Sequence, residues 1–73
     1  MACISPDGKP TESGTKMLRA LKSGLGTAEE IAKEAGLPLF RVRSGLRELT
    51  AAGLVTEIGG RYDITERGEE LIK

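Results

Sequence analysis

A chain of 73 residues with one Cys, one Tyr, one Phe and no His or Trp lacks most of the side chains from which metal centres, nucleophilic triads and tunable acid–base pairs are built; no enzyme activity, cofactor or metal is expected. Eleven Lys and Arg balance eleven Asp and Glu, so attraction to nucleic acid has to come from where the charges sit, not from their total. No apolar run approaches the roughly 20 residues that span a bilayer, and residues 1–15 hold no hydrophobic signal core, which predicts a soluble, cytoplasmic protein with no membrane partner.

The length fits one domain, read here as residues 11–73, preceded by an arm or short strand over residues 1–10. A domain of this size buries only about 60% of the surface its unfolded chain exposes, which leaves little room to enclose a small-molecule substrate. Cys3 cannot form an intramolecular disulfide on its own and reads as an incidental terminal thiol. Ser5-Pro6-Asp7-Gly8 sets Pro and Gly where a type I turn wants them.

From Thr11 or Ser13 onward, Met17, Leu18, Leu21 and Leu25 recur at helical spacing until Ser23-Gly24 ends the pattern. A second helix starts at a capping box, with Thr27 able to accept from the Glu30 amide while the Glu30 side chain reaches back. Ala28, Ile31, Ala32 and Ala35 give it a narrow face of small residues suited to close packing, and Gly36 supplies a left-handed stop.

After Gly36-Leu37-Pro38 a third helix is predicted over about 39–52, with Leu39, Val42, Leu46 and Leu49 turned inward. The helical wheel then groups Phe40, Arg43, Ser44 and Arg47 in one outward sector, flanked by Arg41 and Glu48. Residues 37–55 hold three arginines against Glu48 alone, whereas the chain from 56 onward is net acidic, so the positive charge is local. Gly53 closes the helix. Two strand-like runs within 54–64 are joined by Gly59-Gly60, a β-hairpin signal because both glycines accept the positive φ of a primed turn. Thr65 caps a last short helix carrying Leu71 and Ile72.

The order helix, helix, tight turn, helix, hairpin, short helix resembles the winged helix-turn-helix family, in particular regulators of the MarR and ArsR type. The residues that carry the resemblance are Thr27-Ala28-Glu29-Glu30-Ile31-Ala32, Gly36-Leu37-Pro38, then Val42, Leu46 and Leu49, Ala52-Gly53-Leu54-Val55, and Ile64-Thr65-Glu66-Arg67-Gly68. The fold implied is mainly α: a three-helix bundle with a β-hairpin wing and a short C-terminal helix. The function implied is that of a transcriptional regulator whose third helix enters the major groove of double-stranded DNA.

On that resemblance Phe40, Arg41, Arg43, Ser44 and Arg47 face the DNA. Arg43 and Arg47 are the leading contacts, since Arg grips guanine or phosphate, and Ser44 suits a phosphate or a base edge. Arg61 becomes the wing residue, and Thr27 sits at a helix N-terminus where amides can meet a phosphate. Thr27 reads first as a plain cap, with Glu29 and Glu30 nearby to repel an anion, and the alternative reading of the arginines is as solvated surface charges. Phe40 is open to three roles: contact with a thymine methyl, cover for the core's edge, or anchor for a protein partner. The rival to DNA binding is therefore a protein-interaction winged helix, an adaptor or subunit of a larger assembly. A single domain of this size buries roughly 600 to 1,000 Å² on DNA, so useful affinity calls for a homodimer, a tandem site or a protein partner.

Overall fold

Four helices and one antiparallel hairpin follow one another as α1 (Glu12–Lys22), α2 (Ala28–Ala35), α3 (Leu39–Ala51), β1 (Val55–Ile58), β2 (Arg61–Ile64) and α4 (Glu66–Leu71). They are seen in a computed structural model that describes residues 4–72; Cys3 lies outside them. The mainly helical class with a two-stranded hairpin agrees with the sequence reading.

Each boundary has a local cause. Thr11 caps α1 by accepting from the Gly14 amide at 3.4 Å, and the helix stops at Lys22 because Gly24 takes φ +108°. Leu25, expected on the same helical face as Leu21, therefore falls after the turn, half-buried, with its amide bonded to Ala20 O at 3.2 Å. The arm closes on itself, Ile4 bridging Pro10 across the Ser5–Gly8 turn. Gly36 ends α2 in the left-handed region at φ 69°, which a side chain would resist, and lets the chain reverse into α3 within three residues.

The core is one cluster. Met17 and Leu18 from α1, Ile31 from α2 and Val42, Leu46 and Leu49 from α3 are wholly excluded from solvent, and Leu54 and Val55 are nearly so. Leu39, expected inside, packs at the rim and is half-buried. At the C-terminal end Ile72 is buried while Leu71 is partly exposed, so only one of the two apolar residues carried by the last helix reaches the core. That helix is seated by Thr65, whose amide bonds Leu54 O at 3.0 Å while its hydroxyl donates to Gly53 O at 2.8 Å. Gly68 lies so close beneath that a Cβ there would stand 2.4 Å from Leu54 O; backbone cannot yield as a flexible side chain can, and no larger residue fits.

Hairpin register follows from the two-residue turn: Ile58 pairs with Arg61, Glu57 with Tyr62, Thr56 with Asp63 and Val55 with Ile64. Cross-strand partners share a face and neighbours alternate. Val55, Glu57, Tyr62 and Ile64 therefore lie on the face turned to the core, and Thr56, Ile58, Arg61 and Asp63 on the other.

Candidate nucleic-acid interface

The inner face of α3 decides what its outer face presents. With Val42, Leu46 and Leu49 locked in the core, Phe40, Arg43, Ser44 and Arg47 are all exposed, Phe40 at 73%. The opening of α3 is unusual for a helix built for stability. Pro38 at its N-cap offers no side-chain cap, no acidic residue occupies the first turn, and Arg41 stands there instead. Positive charge at the positive end of a helix opposes the macrodipole.

Arg43 and Arg47 border a groove of about 650 Å³ between α3, the start of α2 and the core-facing side of the hairpin. Glu29 and Ala28 close one end, Thr50 and Ala51 continue the α3 wall, and Glu57 and Tyr62 form the opposite wall. Phe40 and Ser44 are exposed beside this groove without lining it. Arg41 lies on the other flank of the helix and is half-buried.

The groove is electrostatically mixed. Glu29 Oε2 lies 3.7 Å from Arg43 Nη2, both side chains well exposed to water, so the pair is worth at most about 1 kcal/mol. Arg47 makes no ion pair among the described residues and is the cation available without a competing partner.

At the start of α2 the capping box forms in full. Thr27 Oγ1 accepts from the Glu30 amide at 3.2 Å, while Glu30 Oε1 accepts from the Gly26 and Thr27 amides, each at 3.3 Å, and from the Thr27 hydroxyl at 3.0 Å. The bond from the Gly26 amide, followed by those from Thr27, holds the Glu30 carboxyl below its ordinary range. A phosphate arriving at Thr27 would thus meet amides already serving a carboxylate.

Arg61 is directed elsewhere. It lies on the far face of the hairpin, beside a second groove of about 420 Å³ that it shares with Ile58, Asp63, Leu25 and Gly26. The structure therefore brings Arg43 and Arg47 to one groove, leaves Phe40 and Ser44 exposed beside it, and places Arg41, Arg61 and Thr27 outside its lining. Sequence reasoning did not pick out Glu29 and Tyr62 as lining residues, nor Glu57 as facing the α3 arginines. Counting pairs back from the Gly59-Gly60 turn assigns Glu57 and Tyr62 to one face, and that was the available signal. Among the described residues no three His, Cys, Asp or Glu side chains converge to hold a metal ion, and no helix is long and apolar enough to cross a membrane.

Residues 11–73 match the sequence model of a family described as winged helix-turn-helix. Among solved structures the chain is similar to an O-methyltransferase, NcsB1, from neocarzinostatin biosynthesis, in complex with S-adenosyl-L-homocysteine: 38% identity and a TM-score of 0.72 over 81% of this chain but 20% of that one. Two further complexes of the same enzyme, one with S-adenosylmethionine and 2-hydroxy-5-methyl naphthoic acid and one with S-adenosyl-L-homocysteine and 1,4-dihydroxy-2-naphthoic acid, give the same identity and TM-score over 18% of their chains. The present chain thus spans about a fifth of the length of those solved chains. No curated protein matches it.

Proposed function

The chain belongs to the winged helix-turn-helix family, and on that premise we propose that it binds double-stranded DNA as a transcriptional regulator of the MarR or ArsR type, with α3 in the major groove. The observation that carries this reading is the pair Arg43 and Arg47, one helical turn apart and exposed on the face of α3 opposite its buried one. Two guanidiniums at that spacing can grip guanine edges or successive phosphates. Phe40 and Ser44 extend the same surface, and Arg41 meets the backbone from the flank. The MarR and ArsR type is what is implied by the resemblance that residues 27–32, 36–38, 52–55 and 64–68 carry together with Val42, Leu46 and Leu49. The proposed role is one of binding without catalysis, and it implies a cytoplasmic site of action and a homodimer or protein partner to supplement a small footprint.

The test is a titration of the intact chain with a mixed-sequence duplex at several salt concentrations. Three arginine–phosphate contacts give a log–log salt slope of roughly −2.7. Absence of binding at low salt, with amide resonances of residues 40–47 unmoved, would overturn the proposal.

Glu29 sets a second expectation. Its carboxylate holds Arg43 and adds a negative charge to the groove, so Glu29→Gln is expected to tighten duplex binding about 2- to 5-fold, the range an exposed pair of up to about 1 kcal/mol allows. The same change removes a favourable charge from the first turn of α2, lowering stability by about 0.3 to 1 kcal/mol. Affinity and melting temperature should therefore move in opposite directions, which fluorescence titration and thermal denaturation would read together.

A second reading, a protein-interaction module, is favoured by the likeness to an O-methyltransferase, where a segment 38% identical makes up about a fifth of a chain crystallised with S-adenosyl-L-homocysteine. It takes Phe40 as the anchor for a protein surface. Failure of the duplex titration, together with loss of a protein contact on Phe40→Ala, would favour it.

A further inference from the structure

Tyr62, on the inner wall of the α3 groove, is tied at its backbone to a different part of the molecule. Its amide, pointing away from β1, donates to Gly26 O at 2.8 Å, so the α1–α2 loop serves the hairpin as a one-bond third strand. The neighbouring Arg61 side chain folds back over the same residue. A Cβ on Gly26 would stand 2.5 Å from Arg61 Nη2 and 2.8 Å from Cζ, which means the guanidinium occupies the space that the missing side chain leaves. Gly26 is buried although it lies in a loop, and its own amide is held by Glu30. Capping box, loop and wing thus meet at one glycine.

We propose that Arg61 is a positioning residue of the wing, whose guanidinium, closed over Gly26, holds the hairpin so that Glu57 and Tyr62 stay opposite Arg43 and Arg47. As far as DNA is concerned the inference rests on the reading above. Arg61 then contributes to affinity by fixing the groove before the ligand arrives, without meeting a phosphate itself. Gly26 is glycine because the guanidinium needs the room, not because of its backbone angle, which lies outside the left-handed region.

Two variants approach the contact from its two sides. Arg61→Ala deletes the guanidinium. Gly26→Ala displaces it, and because the clash is with the end of a flexible side chain the backbone has no reason to move. Both should speed native-state hydrogen exchange of the Tyr62 amide by at least about fivefold, while amides of the core residues Leu46 and Leu49 exchange as in the parent. A general loss of stability would move all of them together. In duplex titrations both should weaken binding about 3- to 10-fold with the salt slope unchanged, whereas Arg47→Ala should lose about one unit of slope.

Unchanged Tyr62 exchange in Arg61→Ala overturns the proposal. So does a slope shallower by about one in Arg61→Ala with Gly26→Ala binding like the parent, because that pattern belongs to a direct phosphate contact. If the parent chain binds no duplex at all, the DNA reading falls, and the exchange rates alone decide whether Arg61 holds the wing.

Discussion

Replacing Arg43 and Arg47 together by alanine is expected to weaken binding to a mixed-sequence duplex by at least about 30-fold at moderate salt, from about 1 to 3 kcal/mol for each arginine contact, with the domain still folded. If both side chains meet phosphates, the salt slope becomes shallower by about two; if one reads a guanine edge, the loss is nearer one and sequence preference relaxes with it. Both residues are exposed, and alanine is the better helix former. Against this stands the loss of the 3.7 Å pair with Glu29, worth at most about 1 kcal/mol. Circular dichroism should therefore show an unchanged helix content and a melting temperature within about 8 °C of the parent. Unchanged duplex affinity in the double variant would remove the outer face of α3 from the interface.

The value of that variant lies in separating charge from architecture. The helices and the hairpin were legible in the sequence because each has a local cause: the Thr27–Glu30 box, the Gly36 reversal, and the Gly59-Gly60 turn whose register follows by counting. The inward set of α3 was legible for the same reason, since Val42, Leu46 and Leu49 repeat at helical spacing. Leu25 misled because periodicity does not know where a helix stops. Gly24 ends α1 before Leu25 can join its face, and the buried place at the far end of the chain goes to Ile72.

The groove was not legible, because its walls come from three separate elements whose approach depends on the whole core. Nothing local to Glu29 announces that it will stand beside Arg43, fourteen positions further along the chain. Arg61 is an intermediate case. Strand alternation alone, with Val55 and Ile64 as the apolar pair, puts it on the face opposite Tyr62. Its seat over Gly26 needs the packing of the α1–α2 loop against β2, which no period in the sequence encodes.

Leu46→Asp should lose DNA binding by a different route from the arginine pair, because the domain itself is lost. Leu46 is wholly buried in the single core cluster, on a helix that packs against α1, α2 and β1. Truncating such a residue to alanine already removes about 2 to 5 kcal/mol, and a carboxylate placed there adds a desolvation penalty of several kcal/mol with no cation in the core to offset it. The core contains no buried polar or charged residue among those described. A domain of 73 residues has roughly 4 to 11 kcal/mol to lose, at 0.05 to 0.15 kcal/mol per residue, so the variant is expected to show no cooperative thermal transition at neutral pH. Leu46→Met, which keeps volume and polarity, should fold with less than about 1.5 kcal/mol lost and bind DNA like the parent. A cooperatively folded Leu46→Asp would mean that the inner face of α3 does not anchor the helix, and with it would go the reason Arg43 and Arg47 point outward.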